Sequence, residues 1–233
     1  MLLTLSLAHT SLRLAIGFVI AGASTELASQ AFPDDADLKL FAVHINRTPP
    51  QPWPGYGVYL GSGFILTAAH VPGNFARTKP HVVFAGRDLP AVLVKEGSFE
   101  DVDLTLLSID STKLPVSLQT RRMPLCPTPP IANETVVVVT PEGTARSHVL
   151  PQDMVPPDGR GRDTLIGDVA TTGNSGSGVF DAQEQCLLGI VTRKISVILP
   201  GNPEGAPART VDIGKYFVPA SDIKAFIPEA VSY

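Results

Sequence analysis

Three short segments set a histidine, an aspartate and a serine in that order along the chain: Thr67-Ala68-Ala69-His70, Asp103-Leu104-Thr105-Leu106-Leu107 and Gly173-Asn174-Ser175-Gly176-Ser177-Gly178. A serine hydroxyl is a poor nucleophile near neutral pH until an imidazole takes its proton. The imidazole in turn needs a carboxylate to fix its tautomer and to stabilise its positive charge. A lone histidine on an apolar strand is ordinarily a core residue satisfied by a backbone carbonyl, and a lone serine between glycines is ordinarily a turn. The three together point to a general base at His70 and a nucleophile at Ser175. Asp101 and Asp110 compete for the carboxylate role. Asp103 directly precedes an apolar run, where an inward acid is shielded yet within reach of the base, whereas Asp101 fits a solvated strand end.

Chain order separates the convergent versions of this machinery, since subtilisins run Asp, His, Ser and α/β-hydrolases run Ser, Asp, His. The serine here also lacks the G-x-S-x-G elbow, because Ser177 stands where its last glycine belongs. Both of those architectures are therefore excluded.

The elements that must carry these residues read as short strands. Apolar or alternating runs lie at Leu38–Ile45, Gly57–Leu60, Phe64–Thr67, His81–Ala85, Ala91–Val94 and Leu104–Ile109, and a second set lies at Thr135–Thr140, Ala145–Val149, Thr164–Ala170, Gly178–Phe180, Leu187–Thr192 and Tyr216–Val218. No long helical period separates them. Proline cannot donate to a sheet ladder, so the stretch Met123-Pro124-Leu125-Cys126-Pro127-Thr128-Pro129-Pro130 reads as a linker between two β units. Ser221 is a good N-cap for a short final helix, Asp222 suits its first turn, and Pro228 discourages continuation past Ile227. With 233 residues, 44% of them hydrophobic, the chain can bury a sizeable core in one compact unit or two small barrels.

At these residues the sequence resembles the trypsin/chymotrypsin family of serine proteases. Thr67-Ala68-Ala69-His70 is similar to the family's segment around its general base, Asp103 to its buried aspartate, and Gly173-Asn174-Ser175-Gly176 to its nucleophile loop. The Asn-Ser-Gly-Ser form looks most like bacterial members, among them glutamyl endopeptidases and the PDZ-containing heat-shock proteases. Leu188-Gly189-Ile190-Val191-Thr192 resembles the strand that lines the substrate cleft. The resemblance covers roughly residues 38 to 228. It implies an all-β fold of two packed six-stranded antiparallel β-barrels closed by a short C-terminal helix. It implies a serine endopeptidase that acts through an acyl-enzyme on protein or peptide substrates.

On that resemblance residues 32–123 form the N-terminal barrel with His70 and Asp103, and 124–130 form the linker. Residues 131–233 then form the C-terminal barrel with Ser175 and the terminal helix. Nothing follows that helix, so a PDZ domain is not expected. Glycines flanking Ser175 let backbone N–H groups turn toward one point without steric cost, and the Gly173 and Ser175 amides are the expected oxyanion donors. Asn174 carries no charge to pair with a newly cut N-terminus, so activity without zymogen-type cleavage is expected. Val169 stands where trypsin-like enzymes place an acid, and Val191 where glutamyl endopeptidases carry a histidine. Together they suggest preference for a small or medium apolar residue before the scissile bond. Thr192 is expected to offer backbone hydrogen bonds to an extended substrate, and Arg193 and Lys194 to form a solvated rim, with attraction of acidic substrates as the alternative.

Residues 14–23 form an apolar run after Arg13, and Ala23 or Ala31 could end a signal peptide of the usual ~15–30 residues. Residues 1–31 thus read as a signal peptide, with an uncleaved anchor and a mistaken start site as alternatives. The expected address is secreted or periplasmic, with membrane contact only through an anchor. Export would make one disulfide between Cys126 and Cys186 possible, though their spacing does not establish the pairing. A net charge of −4 without a basic cluster lacks the footprint of a nucleic-acid binder. Two cysteines and five scattered histidines form no ligand-spaced set, so neither metal nor cofactor is expected. Two rival functions use the same scaffold: a non-catalytic binding protein, which a fluorophosphonate would not label, and an esterase, which would turn over esters without cleaving protein.

Overall fold

Val-, Ile- and Leu-rich segments bounded by Gly, Pro and Asn turns favour extended backbone, and they build two antiparallel sheets. The structure is a computed structural model that describes residues 35–48, 54–98, 100–154, 164–167, 174–201 and 207–233. The proposed signal or anchor segment lies outside the described residues. The first sheet holds β1 (Ala42–Asn46), β2 (Gly55–Gly61), β3 (Phe64–Thr67), β4 (His81–Phe84), β5 (Arg87–Pro90), β6 (Val92–Glu96) and β7 (Thr105–Ser108), in the order β5-β4-β1-β2-β3-β7-β6. A one-turn helix α1 (Val116–Gln119) and the proline-rich stretch follow. The second sheet holds β8 (Thr135–Val139), β9 (Thr144–His148), β10 (Leu165–Ile166), β11 (Gly178–Asp181), β12 (Leu187–Leu199) and β13 (Arg209–Pro219), in the order β10-β13-β12-β11-β8-β9. Helix α2 (Ala220–Phe226) closes the chain.

Both sheets curl toward closure. In the first, β5 pairs with β4 and β6 pairs with β7, so the segment from Arg87 to Glu96 is one strand bent at Pro90-Ala91. Proline cannot continue a ladder on both sides, and the bend turns the six expected strands into seven. In the second, Val149 bridges Ile166, and Leu150 N–H donates to Leu165 O at 2.7 Å, which joins the last strand of the order to the first.

Val43, Ile45, Leu66, Leu104 and Leu106 from the first sheet share one apolar cluster with Val137, Val139, Phe180, Ile190 and Val218 from the second. Fully burying a side chain of this size contributes about 1.5–3 kcal/mol, so this shared cluster fixes the two sheets face to face. A smaller cluster of Val136, Val179, Leu188, Val191 and Phe217 from the second sheet also takes in Cys126 of the linker. Helix α2 returns to the first sheet, where Lys95 Nζ donates to Phe226 O at 2.7 Å and lies 4.6 Å from the Phe226 ring centroid.

Several boundaries differ from the sequence reading. Leu38–Phe41 is a 3-10 turn rather than the start of a strand, and it buries Leu38 and Phe41. The β12–β13 hairpin runs well past Thr192, because Ile195 and Val197 keep the two-residue alternation going beyond the charged Arg193-Lys194 pair. Of the expected strand Thr164–Ala170, Leu165 and Ile166 pair with β13, while residues 168–170 lie outside the described part. The N-cap of α2 is Pro219; Ser221 sits inside the helix with its hydroxyl on Asp222. Cys126 and Cys186 form a disulfide, which ties the linker to the start of β12 beside the Leu125–Leu187 bridge. Among the described residues no helix is long and apolar enough to cross a membrane.

Candidate active site

His70 follows β3 in a turn, and Asp103 immediately precedes Leu104 and β7, the strand paired with β3. That pairing brings two residues far apart in sequence side by side. His70 Nδ1 lies 3.2 Å from Asp103 Oδ1, and the same oxygen accepts the Ala69 N–H at 3.0 Å. The carboxyl is 2% exposed and the imidazole 38%, so a buried carboxyl backs an imidazole that reaches solvent. Gly97 N–H donates to Leu104 O at 2.8 Å, and a Cβ on Gly97 would meet Val102 O at 2.2 Å. A bare glycine is thus what lets the end of β6 lie against the Asp103 segment. Asp101 is exposed, and Asp110 caps the turn at Ser111, where the Thr112 hydroxyl holds its carboxyl below the usual range.

Ser175 is held from both sheets. Tyr56 N–H in β2 donates to Ser175 O at 3.1 Å, while Gly176 N–H donates to Val191 O at 2.8 Å and Val191 N–H to Ser177 O at 2.9 Å. The Ser177 hydroxyl is fully buried and closes the loop on itself, donating to Asn174 O at 2.6 Å and accepting from Asn174 N–H at 3.1 Å. Ser177 therefore braces the loop, a role the sequence reading missed. Gly176 adopts φ +90°, and a Cβ there would meet Tyr56 O at 1.8 Å. Tyr56 O also accepts the Thr67 hydroxyl at 2.6 Å. Its phenol is pushed up by burial and by the nearby Glu142, and Glu142, on the β8–β9 turn, reaches His44 of β1 at 3.4 Å.

His70 and Ser175 line one cleft of about 350 Å³ with Arg47, Pro54, Gly55, Val71 and Asn174. The Ser175 hydroxyl donates to Thr192 O at 3.1 Å. Gly173 and Val169 lie outside the described residues. The Val191 side chain is 2% exposed within the second sheet's own core, and its backbone supports the Ser175 loop. Arg193 is not a solvated rim residue: its side chain is 11% exposed and its Nε donates to Asp103 Oδ2 at 3.4 Å. Lys194 matches the rim expectation, exposed and paired with Asp212 at 3.0 Å.

Residues 55–190, more than half of the chain, match the family model of the trypsin-like peptidase domain. The chain belongs to the trypsin-like peptidase family. It is accordingly a serine-type hydrolase whose substrates are proteins or peptides. No curated protein matches it significantly in sequence. Solved structures of similar fold include the Rv3671c protease from Mycobacterium tuberculosis in its active form, at 16% identity and TM-score 0.54, covering 82% of this chain and 81% of that one. The MamO protease domain from Magnetospirillum magneticum is similar at 18% identity and TM-score 0.53, covering 82% and 97%. The serine endoprotease from Yersinia pestis is similar at 22% identity and TM-score 0.53, covering 80% and 61%. At 16–22% identity these structures show the fold alone. Among the described residues no group of three or more His, Cys, Asp or Glu side chains could hold a metal ion.

Proposed function

We propose that this chain is a serine endopeptidase that cleaves peptide bonds through an acyl-enzyme on Ser175. The observation that carries the reading is the buried Asp103 carboxylate 3.2 Å from His70 Nδ1, at the wall of the cleft that Ser175 also lines. Asp103 fixes the tautomer with the proton on Nδ1, leaving Nε2 to act as base. For attack the Ser175 hydroxyl, which donates to Thr192 O, has to leave that partner and turn to the imidazole. Ser175 Oγ then attacks the scissile carbonyl as Nε2 takes its proton. The Gly173 and Ser175 amides hold the oxyanion, a donor effect of ~3–4 kcal/mol each where one has been removed. The imidazolium returns the proton to the leaving amine, and water repeats the sequence on the acyl-enzyme.

Three finer proposals go with this reading. Val169, which stands where trypsin-like enzymes place an acid, favours an apolar rather than a basic residue before the scissile bond, whereas the core-buried Val191 side chain takes no part; a cleavage profile dominated by basic residues would overturn that. Asn174 lacks the charge for an N-terminal ion pair, so the enzyme is active without internal cleavage; activity appearing only with a new N-terminal amine would refute this. The protein works in a secreted or periplasmic setting, supported by the Cys126–Cys186 disulfide, since such bonds persist in oxidising compartments.

The deciding experiment is labelling by a fluorophosphonate together with cleavage of a protein substrate. Wild-type protein is expected to label and cleave, and Ser175→Ala to do neither. Cleavage that survives Ser175→Ala would sink the proposal, and ester turnover without protein cleavage would favour an esterase.

A further inference from the structure

The inner oxygen of Asp103 has two partners, His70 Nδ1 and the Ala69 amide. Its outer oxygen faces a protein interior where the residue is 2% exposed. A buried carboxylate oxygen without a donor is free to rotate its partner oxygen out of line, and is costly besides. Thr192 would be the obvious donor on the neighbouring strand, yet its buried hydroxyl has no hydrogen-bond partner. The donor is Arg193 Nε, at 3.4 Å from Oδ2.

The backbone explains how Arg193 gets there. Along β12, Val191 pairs with Phe217 but Arg193 pairs with Tyr216, so Thr192 is an extra residue, a β-bulge. Strict alternation would put residues 191 and 193 on one face, the face that buries Val191 in the second sheet's own core. The bulge breaks that phase. It turns Arg193 away from the core and toward Asp103, and Lys194 outward to Asp212.

We propose that Arg193 is a positioning residue: its Nε–H holds the outer oxygen of Asp103 so that the inner oxygen stays on His70. The inference rests on the Ser175–His70–Asp103 reading above. It concerns the donor at one atom, which allows a sharp test. A methionine has Cε where arginine has Nε and so keeps the shape without the donor, whereas a glutamine has its Nε2 amide at the same place and keeps the donor without the charge.

The test uses the full chain as wild type, Ser175→Ala, Arg193→Met, Arg193→Gln and Lys194→Met. The readouts are the rate of fluorophosphonate labelling and kcat and KM on one peptide substrate. Arg193→Met is expected to slow labelling and kcat by about 10-fold or more, short of the ~10⁴-fold that losing the orienting aspartate's function costs, with KM unchanged. Arg193→Gln is expected to recover to within a few-fold of wild type, and Lys194→Met to match it. Labelling by Arg193→Met at or above the wild-type rate overturns the inference, as does an equal loss in Lys194→Met, which would assign the effect to rim charge. If Arg193→Met does not fold, Arg193→Gln decides alone: near wild-type rate supports the donor, and a loss of tenfold or more in a folded protein overturns it. Activity surviving in Ser175→Ala would instead strike the underlying reading.

Discussion

Gly176→Ala should damage this protein more than any ordinary glycine substitution. The added Cβ would stand 1.8 Å from Tyr56 O, 2.5 Å from Tyr56 C and 2.7 Å from the Thr67 hydroxyl. A tolerable C···O approach is ~3.3 Å, so the loop or β2 must move by about 1.5 Å. Neither can move alone, because Tyr56 N–H donates to Ser175 O and Tyr56 O accepts from Thr67. Losing those two hydrogen bonds costs about 1 kcal/mol each, and alanine at φ +90° adds about 1–2 kcal/mol. The sum, about 3–4 kcal/mol, should lower Tm by ~6–16 °C at 2–4 °C per kcal/mol for a protein of this size. Fluorophosphonate labelling should fall with it, since the displaced segment carries Ser175. Gly143→Ala is the control, because nothing lies within 4 Å of a Cβ there. A Gly176→Ala protein that melts within 2 °C or so of wild type and labels normally would refute the account of how Ser175 is held.

Replacing Cys126 and Cys186 by serine removes a cross-link across 60 residues. The chain-entropy account puts its contribution at about 4 kcal/mol, so a thermal melt that fully reduced protein shares with the oxidised form would contradict it. Burial, with Asp181 adding to it, holds the Glu134 carboxyl above its ordinary value. The native state then ionises later than the unfolded chain, so stability falls as pH rises through the raised value. Glu134→Gln should therefore raise Tm at pH 7 and give no gain at pH 3–4; an equal gain at both would refute the assignment. Among the described residues Arg47 is the one arginine or lysine lining the cleft. Arg47→Glu should lower kcat/KM for peptides with an acidic residue beside the scissile bond relative to those with a lysine, and an unchanged ratio would remove Arg47 from recognition.

What the sequence made legible was local. His70 lies just past an apolar strand and Asp103 just before another, and antiparallel pairing of those strands brings the two together without long-range information. The six-strand pattern of the first sheet was legible for the same reason, apart from the bend at Pro90-Ala91. The disulfide was not, because pairing depends on closing a 60-residue loop around the second sheet. Arg193 was read as a rim residue because a charged pair at the end of an apolar run normally marks solvent. One inserted residue, Thr192, reverses that for Arg193 and preserves it for Lys194. A bulge leaves no compositional trace, so the side chain it re-aims is visible only in three dimensions.

The two halves of the site share more than a cleft. Tyr56 uses its N–H for Ser175 O in the second half and its carbonyl for the Thr67 hydroxyl in the first, and Thr67 ends the strand that delivers His70. The segments that carry His70 and Ser175 are thus tied through one backbone unit of β2. The same economy appears at Asp103, where Ala69 and His70 come from the first sheet and Arg193 from the second. Geometry at hydrogen-bond precision needs supports that are themselves fixed, and here two of the supports, Tyr56 N–H to Ser175 O and Arg193 Nε to Asp103 Oδ2, bond across the seam between the sheets. A perturbation that loosens the seam should therefore disturb labelling before it disturbs either sheet, whereas one confined to the far end of the β12–β13 hairpin should leave the chemistry alone.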